Sequence, residues 1–188
     1  GANVTAREAS HGQTALMWAV AQRHSAVVLT LLEHGAGIAD RSTVYPQVIS
    51  SSGNADPSGV YDIEQGGYTP LLFAARQGAL ESARLLVAAG ADVNDAAPMG
   101  TSTLVVAALS GQGAVATFLL EQGADPNAAD AGYTALHAAV LRGDVELVTA
   151  LLAYGADPNP QLKRGTPARR VSADWTLSHN MIGATPFW

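Results

Sequence analysis

The sequence predicts an all-α solenoid, in which short helix-turn-helix pairs stack side by side and β-hairpin loops join them. First, an opening of the form Gly-x-Thr/Ser recurs at a fixed spacing, because Gly67, Gly100 and Gly132 lie 33 and 32 residues apart. Second, each opening leads into an alanine-rich stretch and then a Leu-Leu pair. Third, a Gly-Ala turn closes each unit, and these turns begin at Gly35, Gly90, Gly123 and Gly155. A fixed period of this length is typical of arrays whose units bury their apolar faces on one another.

The boundaries of the helices follow from local signals. A hydroxyl side chain caps the first helix of each unit, and Pro70 fits a first helical position, where its missing N–H costs nothing. The first helices are predicted at 15–22, 70–77, 103–110 and 135–142, capped by Thr14, Thr69, Ser102 and Thr134. The second helices are predicted at 25–34, 80–89, 113–122 and 145–154, each ending at the glycine of its closing turn.

These openings and turns, with Thr-Ala-Leu-His at 134–137 and Thr-Pro-Leu at 69–71, resemble the ankyrin repeat over nearly the whole chain. The resemblance implies one domain, 1–188, with complete repeats at 12–41, 67–99, 100–131 and 132–159. Residues 1–11 and 183–188 are expected to be parts of further repeats, which leaves both end faces uncapped. Residues 42–66 and 160–182 interrupt the period as insertions, and the resemblance extends to bacterial ankyrin proteins with such insertions.

The two insertions differ in charge. The first contains three acidic and no basic residues, and two β-rich runs on either side of a turn-rich segment predict a two-stranded finger. The second contains four basic residues and one aspartate. We expect contacts with a partner from Tyr45, Asp56, Tyr61, Asp62, Lys163, Arg164, Arg169, Arg170 and Trp175.

The segment Asn54–Asp62 also spaces oxygen ligands as calcium loops do. Gln65 stands where such a loop has glutamate, and the same residue types build ordinary turns. The sequence alone does not decide whether this segment binds calcium. We expect the protein to need no metal or other cofactor.

Composition excludes several functional classes. The net charge of −6 favours neither nucleic acid nor an anionic membrane, and no apolar run reaches the roughly 20 residues of a membrane span. The chain has no cysteine, its five histidines are dispersed, and it contains no nucleophile elbow, zinc-protease motif or phosphate loop. We expect no enzymatic activity. Secreted, periplasmic and cytoplasmic locations all remain open.

The resemblance implies a protein-binding scaffold whose concave face holds a protein or peptide. Carried over by position, the residues of that face are His11, Gln13, Gln22, Tyr68, Arg76, Gln77, Met99, Thr101, Leu109, Ser110, Tyr133, Leu141 and Arg142. Of these, Tyr68, Tyr133 and Arg76 are the expected anchors, since tyrosine and arginine dominate binding hot spots. His137 matches the family's helix-opening histidine and is expected to be structural. The alternative function is self-assembly, in which the uncapped end faces join copies into an oligomer or filament.

Overall fold

The computed structural model describes residues 3–50, 60–165 and 181–187, with the side chains of 48–50 and 60–62 outside that description. Within these ranges lie the helices α1 (Ala15–Ala21), α2 (Ser25–Glu33), α3 (Pro70–Gln77), α4 (Leu80–Ala88), α5 (Thr103–Leu109), α6 (Gly113–Glu121), α7 (Ala135–Arg142) and α8 (Val145–Ala153). Each odd-numbered helix packs on the even-numbered helix that follows it, and like helices of successive repeats pack on each other. We call α1, α3, α5 and α7 the inner helices and the others the outer helices. The predicted repeat solenoid is confirmed.

The inner helices begin where the sequence predicts. Thr14, Thr69, Ser102 and Thr134 have extended backbone and accept a hydrogen bond from the N–H three residues on, at 3.3–3.4 Å. The hydroxyl thereby satisfies a donor that the helix itself leaves free. The predicted C-terminal ends were one residue too long for α1, α5 and all outer helices. In α1, for example, Gln22 already has cap geometry.

The buried core runs along the length of the array. Each repeat contributes alanines from its inner helix and leucines from both helices, such as Ala107, Ala108 and Leu119. Alanine leaves room for the inner helices to approach closely, and the leucines fill the space between the two layers. The core is therefore shared between neighbouring repeats, as the period predicts.

Hairpins that we call fingers connect the repeats. In each of four fingers an N–H donates to the carbonyl of the residue that follows the opening glycine of the next repeat. The pairs are Glu8 with Gln13, Ser42 with Tyr68, Ala97 with Thr101 and Leu162 with Ala184, at 2.9–3.0 Å. Both insertions therefore lie at the same place in a finger.

The first insertion lengthens its finger. Strands β1 (Tyr45–Ser50) and β2 (Val60–Gln65) pair antiparallel, with Tyr45 opposite Gln65, and they continue the pairing of Ser42 with Tyr68. The predicted two-stranded finger is confirmed. The predicted turn at 51–59 and the expected helix cap at Asp174 lie outside the described residues.

Asparagines join the closing turns of successive repeats. The side-chain oxygen of Asn94 accepts from the N–H of Asp125, in the next repeat, at 2.8 Å. Asn127 accepts in the same way from Asp157 at 2.7 Å and also donates to the carbonyl of Gly155 at 3.0 Å. We call these contacts the asparagine ladder. They satisfy polar groups of one turn with those of the next and thus fix the spacing of the repeats.

The first junction is joined differently, because Ala39 stands where later repeats have asparagine. Arg41 instead reaches across the junction, donating to the carbonyl of Gly67 at 2.8 Å and forming an ion pair with Asp95. Asp95 also accepts from the hydroxyl of Thr69 at 2.7 Å. One unit earlier, Arg7 pairs with Asp40 at 2.8 Å. Charged contacts therefore take the place of the ladder at this end.

The base of the second insertion lies directly on the preceding finger. The N–H groups of Lys163 and Arg164 donate to the carbonyl of Gly132, at 2.8 and 3.3 Å. Gly132 has a φ of +93°, and a Cβ atom built there would lie 2.9 Å from the backbone nitrogen of Arg164. Only glycine fits both the left-handed backbone and the close contact.

We expect Gly132→Ala to lower the free energy of unfolding by about 1–2 kcal/mol. Gly155→Ala is the matched control, because Gly155 has a φ of +87° but no atom within 4 Å of the added Cβ. Gly155→Ala introduces only the backbone strain. Its loss in free energy of unfolding, measured with denaturant, should therefore be smaller than that of Gly132→Ala. Equal costs would contradict the role of the finger contact.

Candidate protein-binding surface

Three side chains of the second repeat form one cluster, in which Arg76 is exposed and Tyr68 and Phe73 are partly buried. Tyr68 follows the first insertion, whereas Phe73 and Arg76 project from α3. The rings of Tyr68 and Phe73 meet edge to face, with centroids 5.7 Å apart. The guanidinium carbon of Arg76 lies 6.0 Å from the centroid of the Tyr68 ring, within the range of cation–π attraction. The cluster combines flat apolar surface with a fixed positive charge, as binding hot spots often do.

Trp18 is the most exposed aromatic side chain of the inner helices in the described ranges, at 51%. It occupies in α1 the position that Phe73 occupies in α3. Sequence reasoning missed both residues, because it carried over only the positions next to the opening glycine and at the end of the inner helix. An alignment of the repeats would have found them, because an aromatic residue stands there at a position that is otherwise filled by small core residues. We call the surface formed by Trp18, Tyr68, Phe73 and Arg76 the inner face.

Tyr133 does not belong to this surface, and its assignment as an anchor was wrong. Its side chain is only 4% exposed. Burial raises the pKa of its hydroxyl, and a hydrogen bond with Thr101 opposes that shift without cancelling it. The base of the second insertion lies over this finger, through the contact of Lys163 with Gly132. Tyr133 is therefore a packing residue between neighbouring fingers.

The other predicted binding residues differ in exposure. Exposed are His11, Gln22, Arg76, Tyr45, Lys163 and Arg164. Partly buried are Gln13, Tyr68, Gln77, Met99, Thr101, Leu109, Ser110, Leu141 and Arg142. Asp56, Arg169, Arg170 and Trp175 lie outside the described residues, as do the side chains of Tyr61 and Asp62. The structure brings His11 and Tyr45 together, with ring centroids 5.8 Å apart. A binding role for these residues stays a prediction.

Two arginines support the C-terminal ends of neighbouring inner helices. Arg23 donates to the carbonyl of Gln77, at the end of α3. Arg142 donates to the carbonyl of Leu109, at the end of α5, at 3.2 Å. A cation at this end of a helix meets unpaired carbonyls and the negative end of the helix dipole. These contacts bring positive charge to the same end of the inner helices as Arg76.

His137 closes a reciprocal cap at the start of α7. Its Nδ1 accepts from the backbone N–H of Thr134 at 3.2 Å, while its own N–H donates to the Thr134 hydroxyl at 3.4 Å. The neutral ring therefore carries its proton at Nε2, which makes no hydrogen bond with the described residues. Desolvation lowers the pKa of His137. The nearby backbone of Ala184 and Pro160 raises the pKa, but by less, so the net shift is downward. Its expected structural role agrees with this geometry.

We expect the free energy of unfolding to fall as the pH is lowered from neutral through the ordinary histidine range. The folded state holds His137 below its usual pKa, so the unfolded chain takes up the proton first and is favoured at low pH. Denaturant midpoints across this range would measure the effect. In the His137→Met variant, which copies the buried Met17 of the first repeat, this pH dependence should shrink. An unchanged profile would contradict the assignment.

Among the described residues no group of three or more histidine or acidic side chains is placed to hold a metal ion. None of the helices in the described ranges combines the length and the apolar character that crossing a membrane requires. The proposed calcium segment, Asn54–Asp62, falls mainly outside these ranges.

A row of stacked helix pairs, joined by fingers and presenting one aromatic and cationic inner face, defines a linear repeat protein. The chain belongs to the ankyrin repeat family. The family description "Ankyrin repeats (3 copies)" matches residues 48–130 and 96–162, and "Ankyrin repeat" matches residues 11–43. No curated protein matches the chain. Ankyrin repeat proteins are generally scaffolds without enzymatic activity that mediate protein–protein interaction.

Proposed function

We propose that this chain is a non-enzymatic scaffold that binds a protein or peptide partner through its inner face and the adjoining fingers. The observation that carries the proposal is the cluster of Tyr68, Phe73 and Arg76, with exposed Trp18 on the next inner helix. Aromatic and arginine side chains contribute most of the binding energy of protein interfaces. Trp18 is exposed, and Tyr68 and Phe73 pack against the core but stay only partly buried, so each keeps surface that a partner can contact.

The rigidity of the scaffold supports the same proposal. Tyr68 is held by a hydrogen bond from its N–H to the Ser42 hydroxyl at 3.1 Å, and α3 is capped at both ends. A surface that is ordered before binding loses little conformational entropy when the partner arrives. The long first finger begins beside Tyr68 and so places Tyr45 within reach of the same partner.

Site-specific crosslinking tests this proposal. A photo-crosslinking phenylalanine analogue replaces Trp18 in one variant and Val145, exposed on the outer helix α8, in the other. In extracts of the source cells, we expect a discrete crosslinked protein from position 18 and none from position 145. Crosslinks of equal yield from both positions, or from position 145 alone, would rule out the inner face.

The captured protein then allows a quantitative test. With the purified partner, Trp18→Ala and Tyr68→Ala should each weaken binding about tenfold or more, as expected of hot spots. Val145→Ala should leave the affinity unchanged. Calorimetry would measure all three, and circular dichroism would show that the variants are folded.

Self-assembly is the second candidate, and exposed apolar side chains on the outer helices favour it. Val27 on α2 and Leu152 on α8 are exposed, whereas their counterparts Val115 and Leu120 in the third repeat are buried. A second copy would cover these two side chains. Light scattering at low and high salt tests this, with Val27→Lys expected to disperse any oligomer and Thr30→Lys, at an exposed site of the same helix, to leave it intact. A monomer at both salt concentrations removes this candidate.

A further inference from the structure

Charge is divided between the two layers of helices. The inner helices α1, α3, α5 and α7 contain no aspartate or glutamate, although the chain as a whole has a net charge of −6. Each outer helix carries one glutamate, namely Glu33, Glu81, Glu121 and Glu146. Arg84 is the one basic residue of the outer helices. The outer helices therefore carry a net charge of −3, from four glutamates and one arginine, whereas the inner helices carry no acidic residue.

Positive charge gathers on the inner side. Arg23, Arg76 and Arg142 all lie at the C-terminal ends of inner helices. Arg76 is exposed and held over the Tyr68 ring, and Arg23 is exposed beside the end of α3. Asp144, the carboxylate nearest to the end of α7, lines instead an outer groove of about 450 Å³ together with Glu121 and Glu146.

The fingers beside this face carry negative charge as well. Glu8 stays ionised, because hydrogen bonds from the Ser10 hydroxyl and from the N–H groups of Gln13, Ser10 and His11 lower its pKa to about 2. Glu64 on β2 is exposed. Asp95 is neutralised by Arg41. Asp130, in the finger that contains Gly132, is exposed, and the backbone N–H groups of Lys163 and Arg164 donate to the carbonyl of Gly132 in that finger. The inner helices themselves carry arginines and no carboxylate.

We propose that the partner recognised by the inner face is an acidic peptide segment that carries apolar side chains between its carboxylates. This inference rests on the proposed function and narrows it to one class of partner. The aromatic rings of Trp18 and Phe73 would receive the apolar side chains, and Arg76 and Arg23 would attract the carboxylates. The acidic outer helices would repel the same segment, so charge selects the face as well as the partner.

Selection from a library of short random peptides tests the proposal with the intact chain. The peptides enriched on the immobilised protein should carry net negative charge and aromatic or aliphatic residues. Their affinity, measured by fluorescence anisotropy, should fall as salt rises, because screening weakens the attraction. Arg76→Glu should weaken the enriched peptides by about tenfold or more. Arg84→Glu, the same change on an outer helix, should have little effect.

The outcomes separate this inference from the proposed function. If neutral or basic peptides are enriched and Trp18→Ala abolishes their binding, the inner face is a binding surface but the acidic partner is wrong. If no peptide is enriched, or binding survives Trp18→Ala unchanged, both fail. A duplex oligonucleotide is the second probe, and binding as tight as that of the peptides would show that bare negative charge suffices and would overturn the proposal.

Discussion

Replacing Leu120 by alanine is expected to lower the free energy of unfolding by about 2–5 kcal/mol. Leu120 is only 2% exposed on α6, which packs against the outer helices of both neighbouring repeats. Truncation removes buried apolar surface and leaves a cavity between two packed layers, which the rigid neighbours fill only in part. Denaturant unfolding followed by circular dichroism would measure the loss.

Leu152 provides the matched control, because it holds the same position in the following repeat, 32 residues later. It is 40% exposed, so Leu152→Ala should cost only roughly 1 kcal/mol, on the scale of the apolar area removed from contact. The difference between the two variants measures what a neighbouring repeat contributes by covering one leucine. Equal losses would contradict the stacking order of the repeats.

The second large effect is expected at the first junction. Arg41→Ala should lower the free energy of unfolding by about 1–3 kcal/mol. The variant leaves the Asp95 side chain, 12% exposed, without its cation, and removes donors to the carbonyls of Gly67 and Ala96. The estimate lies below that for a fully buried pair, because the arginine side chain is itself 44% exposed and screened by water.

Glu81→Ala is the control, because it removes an ion pair that lies on the surface of one helix and not at a junction between repeats. Glu81 and Arg84 face each other at 3.7 Å on the surface of α4, and both are exposed. Pairs of this kind contribute little, so we expect a change below about 0.5 kcal/mol. Thermal unfolding of both variants would separate a junction contact from a surface one. A loss for Arg41→Ala no larger than for Glu81→Ala would refute the role of the junction.

The helices and fingers could be predicted from sequence because their signals are local. Thr69 caps α3 from the adjacent position, and Gly90, with a φ of +96°, begins the turn that follows α4. Each signal depends on residues only a few positions away. Because the same signals recur in every repeat, each predicted boundary is supported several times in one chain. The same reasoning located the two strands that begin at Tyr45 and Val60.

The candidate site was harder to predict, because exposure depends on distant parts of the chain. Tyr68 and Tyr133 follow equivalent glycines, yet only Tyr133 is buried, under a segment that begins some thirty residues later. The contact of Arg41 with Asp95 spans 54 residues and leaves no periodic trace. Trp18 and Phe73 do occupy the same position of the repeat, so alignment of the repeats would reveal them. In the other repeats that position holds a packing residue, which hid their role.

The asparagine ladder is absent from the first junction. The two ends of the array should therefore differ in how strongly dissolved salt destabilises them. The amide contacts of Asn94 and Asn127 involve no net charge, whereas Arg7 and Arg41 hold the leading repeat by ionic attraction. Dissolved ions weaken the second kind of contact more than the first. In hydrogen-exchange experiments at rising ionic strength, α1 and α2 should lose protection while α5 to α8 keep theirs, so the rod should fray from its leading end.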